Sequence, residues 1–153
     1  FIELADKFSG TKAGNLANYY IGMIYLKKND YQNAIKYLSS FESNDIMLSS
    51  ISLGSIGDAF SELNQYEEAY EFYSKAHSAS DNNFTTPIYL FKSGIIAIEL
   101  EKFSSAFDNF TKIKYEYSDS PQAKNIDVYI WLKLNEEIEK LDEQKLELEN
   151  DEK

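Results

Sequence analysis

The sequence predicts an all-α solenoid of helix–turn–helix hairpins, and three observations carry that prediction. One spaced set of residues occurs three times: Gly, an aromatic nine positions on, Ala three after that, and a large apolar residue four further. It reads Gly22–Tyr31–Ala34–Leu38, then Gly57–Tyr66–Ala69–Tyr73, then Gly94–Phe103–Ala106–Phe110. The units start 35 and 37 residues apart, a period at which stacked repeats bury their apolar faces against their neighbours. The apolar spacing is helical almost throughout, and no alternating run is long enough to argue for a sheet. The breaks between helical stretches are short, which forces consecutive helices to lie antiparallel.

Each element follows in order. Residues 1–10 read as the second helix of a preceding repeat whose first helix is missing, so the chain looks like a piece of something longer. Leu16, Tyr19, Tyr20, Met23, Ile24 and Leu26 keep three-to-four spacing until Asn29-Asp30 breaks it, and residues 31–41 resume the pattern. The second pair spans residues 46–63 and 66–79, split by Asn64-Gln65. The third spans residues 86–100 and 103–117. It begins at Thr85 or Thr86 before Pro87, where proline's missing N–H costs nothing. Ser120-Pro121 repeats that start signal for a long last helix carrying Ile126, Tyr129, Ile130, Trp131 and Leu134. The expected organisation is therefore repeats at 12–45, 46–83 and 84–119, then a capping helix and acidic tail at 120–153.

The tail turns strongly charged after Asn135, with nine acidic residues against three Lys. Ile138, Leu141 and Leu148 continue the spacing from Leu134, but Lys145 interrupts the seam. Two broken heptads fall short of a coiled coil and read as a solvated cap.

Composition excludes several function classes. The net charge is −11, and all 15 basic residues are Lys. A nucleic-acid binder needs a basic stripe to displace counterions, so none is expected as a partner. There is no Cys, which removes disulfides and thiolate metal sites. No apolar run approaches the roughly 18 residues that span a bilayer. His77 is the only His and falls near a helix end; with no Cys and no Ser-His-Asp set, nucleophilic catalysis lacks its parts. Glu67-Glu68 and Glu136-Glu137 are adjacent carboxylates that diverge on a helix and face solvent. Asp81-Asn82-Asn83 lacks the spaced ligands and terminal Glu of a calcium loop, and Ser55-Ile56-Gly57-Asp58 lacks the Gly-Lys-Ser ending of a phosphate loop. The expectation is no enzyme, no cofactor and no metal.

The spaced set resembles the tetratricopeptide repeat, a helix–turn–helix of about 34 residues. Ile21-Gly22 with Tyr25, and Ile56-Gly57 with Phe60, fill its first-helix positions. Tyr31, Ala34 and Leu38, then Tyr66, Ala69, Tyr73 and Ala76, fill its second. The third unit departs with Ser93 for Leu and Ala97 for Tyr, and the usual early Trp is Asn18, Leu53 and Leu90. The resemblance covers residues 12–134 and implies a right-handed solenoid that binds protein or peptide segments on its concave face. By the family pattern that face is lined by Leu16, Tyr19, Met23 and Leu26 in unit one. Unit two supplies Ile51, Asp58, Ser61 and Glu62, and unit three Ile88, Phe91, Ile95 and Ile98. This mixture suits a segment with apolar anchors and a basic flank. Repeats that clamp acidic chaperone tails use Lys and Asn in the groove; the matching positions here are Tyr19, Met23, Ser55, Ile88 and Lys92, of which Lys92 alone fits.

A narrower likeness rests on Thr11-Lys12-Ala13-Gly14-Asn15-Leu16-Ala17, Ile35-Lys36-Tyr37-Leu38 and Tyr115-Glu116-Tyr117-Ser118-Asp119-Ser120-Pro121. These segments look like membrane-anchored tetratricopeptide proteins of Bacteroidetes, of the ancillary translocon subunit type. That likeness implies a bacterial envelope protein with an anchor upstream of Phe1 and a periplasmic repeat domain assisting secretion or envelope assembly. Cytoplasmic placement is the alternative location, and self-association through exposed terminal helices the alternative function.

Overall fold

The computed structural model describes residues 10–131 together with Glu3, Lys7, Phe8 and Lys140. The expected leading helix over residues 1–10 and the acidic tail beyond Trp131 lie largely outside the described residues. Six helices form three hairpins: α1 (Lys12–Lys27) with α2 (Tyr31–Ser39), α3 (Ile46–Glu62) with α4 (Tyr66–Ser78), and α5 (Thr86–Glu99) with α6 (Phe103–Glu116). A single 3₁₀ turn, Ala123–Asn125, leads into the short α7 (Ile126–Tyr129). The described residues contain no strand. Each helix packs on the next along the chain, and α1 also touches α3.

The repeated residues hold each hairpin together. An added Cβ on Gly22 would lie 2.5 Å from Leu38 Cγ; on Gly57, 2.7 Å from Tyr73 Cδ1; on Gly94, 2.4 Å from Phe110 Cε1. The first and last residues of the spaced set are thus one contact made three times, the large side chain of the second helix lying on the glycine of the first. Ala34, Ala69 and Ala106 are fully buried at the same crossings, where a larger residue would hold the axes apart. Units one and two add a stacked aromatic pair, Tyr25 on Tyr37 at 5.6 Å and Phe60 on Phe72 at 5.4 Å. In unit three the corresponding residues are Ala97 and Asn109, so both partners of the pair are replaced together.

The three turns share one geometry. Asn29, Asn64 and Glu101 adopt left-handed backbone with φ of 60°, 57° and 57°. The next N–H bonds back five residues: Asp30 to the Tyr25 carbonyl, Gln65 to Phe60, Lys102 to Ala97. This is a Schellman closure, in which the left-handed residue favours Gly or Asn. Units one and two obey that preference and unit three does not. Glu101→Gly relieves the Cβ clash of left-handed backbone and is expected to stabilise the fold by about 0.5–1 kcal/mol. Thermal denaturation checks it, and an unchanged or lower midpoint counts against the strain.

Capping explains where the helices begin. Thr11 accepts from the Gly14 N–H, Asp30 from Asn33 and Asp45 from Leu48, each filling a donor the helix start leaves open. At the start of α5, neither threonine caps by its side chain. Instead Asn82 Oδ1 accepts from the N–H groups of Phe84 and Thr85 at 2.8 and 2.7 Å, while the Asn82 N–H donates to Thr86 Oγ1 at 3.0 Å. Asp81 accepts from the Tyr117 hydroxyl. The Asp81-Asn82-Asn83 stretch therefore organises a connection. At the last expected start, Ser120 Oγ accepts from the Ala123 N–H at 3.3 Å, but regular α-helix begins only at Ile126, later than Ser120-Pro121 predicts.

Candidate functional site

The C-terminal halves of the first helices, α1, α3 and α5, bound a groove of about 510 Å³. Its apolar side is Leu26 from α1 and Phe91, Ile95 and Ile96 from α5. Asp58, Ser61 and Glu62 enter from α3, Tyr73 from α4, and Asn29 with Tyr31 from the first turn. The sequence predicts six of these: Leu26, Asp58, Ser61, Glu62, Phe91 and Ile95.

The other predicted residues lie elsewhere. Leu16 is exposed in a larger polar hollow of about 1090 Å³ beside the start of α1. There Asn15 fastens the α2–α3 connection, donating to the Glu42 carbonyl at 2.6 Å and accepting from its N–H at 2.9 Å. Tyr19 packs on Phe41, ring centres 5.1 Å apart. Met23 and Ile51 are half-buried outside the groove lining, and Ile88 is exposed. Ile98 packs on the core cluster of Leu90, Phe110 and Ile113. Phe91 and Ile95 touch that cluster too, so they serve core and groove together.

Sequence reasoning missed the aromatic hydroxyls. Tyr31 and Tyr73 read as packing landmarks; the Tyr73 ring is buried in the core, but both hydroxyls bond to carboxylates that line the groove. Tyr73 donates to Asp58 Oδ1 at 2.7 Å, and Lys92 Nζ lies 2.6 Å from the same oxygen. The Lys92 ammonium also sits 5.7 and 5.9 Å from the ring centres of Tyr73 and Tyr89. Those two rings stack 6.4 Å apart. Tyr31 donates to Glu62 Oε2 at 3.2 Å and to Asn29 Oδ1 at 3.3 Å. The signal for Tyr73 was its spacing: it meets Gly57, sixteen residues earlier, at the repeated glycine contact, and Asp58 is the next residue along.

Burial, then the Asp58 charge, pushes the Tyr73 phenol far above its ordinary range, and the same two causes act on Tyr89. Burial and the hydrogen bond to Asp81 push Tyr117 up to about 12. Unfolded phenols lose their protons near pH 10, whereas these three keep theirs in the folded chain. The unfolded state then binds fewer protons, so stability is full below about pH 10 and falls as pH rises toward 12. Melting curves between pH 8 and 11.5 check this, and Tyr73→Phe should flatten the decline.

His77 is half-buried in the last turn of α4, less exposed than its helix-end position predicts. Burial and then Lys112 hold its imidazole below the usual range. Among the described residues, no three His, Cys, Asp or Glu side chains are grouped as a metal would need. No helix among them is long and apolar enough to cross a membrane.

Comparison with known families gives two matches, both to the tetratricopeptide repeat, over residues 16–45 and 52–83. No curated protein and no solved structure matches the chain. The third hairpin lies outside the matched segments, yet it repeats the glycine contact and the left-handed turn of the first two. Among the described residues the chain is an all-α solenoid of consecutive helical hairpins, the first two of which match the tetratricopeptide repeat.

Proposed function

We propose that the chain is a non-catalytic scaffold that holds a segment of another protein across α1, α3 and α5. The tetratricopeptide fold is a protein-interaction fold. The observation that carries the reading is the groove itself, with one apolar side, one polar side and contributions from all three repeats. A photo-crosslinking residue at Ser61, inside the groove, should trap a partner in cells, while one at the exposed Glu71 on α4 should not. Equal labelling from both positions, or none from Ser61, would overturn the proposal.

The proposal extends to setting: an extracytoplasmic domain of a membrane-anchored bacterial envelope protein that assists secretion or envelope assembly. Its support is the likeness of the three segments around Lys12, Lys36 and Ser118 to ancillary translocon subunits. Protease added to intact spheroplasts should digest the domain if it lies outside the cytoplasmic membrane. Protection until lysis would place it in the cytoplasm.

Self-association is favoured by one feature. Tyr115, Val128 and Trp131 expose large apolar surface near the end of the described chain, Tyr115 and Trp131 each by about three quarters. Sedimentation velocity over a hundredfold range of concentration tests it, and a constant monomer would remove this reading.

A further inference from the structure

We infer that the groove selects segments in which an apolar side chain is flanked by Lys or Arg, and rejects acidic ones. This rests on the peptide-holding role proposed above and specifies its chemistry. Among the described residues that line the groove there is one cation, Lys92, and it is already engaged. Lys92 Nζ is 2.6 Å from Asp58 Oδ1 and faces the rings of Tyr73 and Tyr89. An incoming carboxylate would have to share Lys92 with the Asp58 carboxylate and meet two negative charges, Asp58 and Glu62, in the same hollow.

Glu62 is in the opposite condition. It is exposed at the groove, accepts one hydrogen bond from Tyr31 at 3.2 Å, and makes no ion pair with a described residue. A carboxylate beside an aromatic ring is a place for a cation, held by charge and by the ring face together. Leu26, Phe91 and Ile95 supply the neighbouring apolar wall. The groove therefore presents an apolar anchor point and an uncompensated negative charge within one hollow.

Charge also decides among occupants. A second copy of the chain carries −11, and the chain's own residues 136–153 hold nine acidic residues against three Lys. Both are repelled by a site whose free charge is negative. A basic-apolar segment of a different protein is the occupant that complements it.

The test is to pan a random 12-residue phage-display library against the immobilised full chain at low salt, then against Glu62→Lys and Glu62→Gln. Enriched sequences should carry an apolar residue with Lys or Arg within a few positions. A synthetic peptide of the leading sequence should bind Glu62→Lys roughly five- to tenfold more weakly, with Glu62→Gln between. Circular dichroism shows whether each variant stays folded. Enrichment of acidic sequences, of apolar ones without basic flanks, or of any that bind Glu62→Lys undiminished, overturns this inference while leaving the groove a binding site. No enrichment overturns both this inference and the proposed function. Enriched sequences matching residues 136–153, or a dimer in sedimentation that Glu62→Lys dissolves, would assign the groove to the chain's own tail or to a second copy.

Discussion

Phe110→Ala is expected to cost about 3–5 kcal/mol, the range for removing a fully buried aromatic. Phe110 has no exposed surface, lies on Gly94, and faces the rings of Phe91 at 6.0 Å and Tyr129 at 6.3 Å. The cavity would open where α5, α6 and α7 meet, and the Gly94 site could not close it without moving a helix. At about 2–4 °C per kcal/mol for a chain of this size, the melting midpoint should fall by roughly 6–20 °C. Phe107→Ala, three residues earlier and half exposed, should stay within about 0.5 kcal/mol of the parent. Comparable losses in the two variants would mean that α6 does not face the core as described.

Gly54→Ala tests a different contact, between units. An added Cβ would lie 1.9 Å from Tyr89 Cε1 and 2.1 Å from Cζ. Alanine gains about 1 kcal/mol over glycine in a helix, while overpacking costs typically about 1–3 kcal/mol. The clash should win, because Tyr89 is buried and stacked against Tyr73 and has little room to swing away. The expected net loss is up to about 2 kcal/mol. Pairing the change with Tyr89→Ala should give less than the sum of the two separate losses, since the new methyl then meets no ring. A stabilised Gly54→Ala, or strict additivity, would refute the contact.

Gly54 also marks a limit of sequence reading. It belongs to no recurring set, for its counterparts are Tyr19 and Phe91, so periodicity gave it no role. The glycines at 22, 57 and 94 were legible because local hairpin geometry repeats them. A contact between successive units depends on which side chain the next unit brings, and here that is Tyr89. Element positions were legible for a related reason: each helix depends on its own spacing and on turns such as Asn29-Asp30. The turn at Glu101 was placed by spacing alone, since an unfavoured residue occupies its left-handed position.

The site was half legible. The resemblance placed Leu26, Phe91, Ile95 and Ile98 on one face; the first three line the groove, whereas Ile98, on the same helix as Phe91 and Ile95, packs on the core outside the lining. Such assignments depend on helix rotation, which spacing alone leaves open by tens of degrees. Tyr73 was hidden because one side chain does two things: its ring packs in the core and its hydroxyl reaches Asp58. Lys92 was visible as a cation, but its commitment to Asp58 joins residues 34 positions apart in neighbouring units.

The apolar interior gathers into clusters around Ala17 and Ile21, around Ala69 and Tyr73, and around Phe110 and Ile113, the last two bridged by Tyr70. A core gathered in sections lets a terminal hairpin open while the rest stays folded, so protection from hydrogen exchange should grade along the chain. The groove crosses those sections, drawing on α1, α3 and α5 at once. An occupant would act as a splint across the joints between hairpins. Its mark would be a sharper, more concerted unfolding transition as well as a higher midpoint.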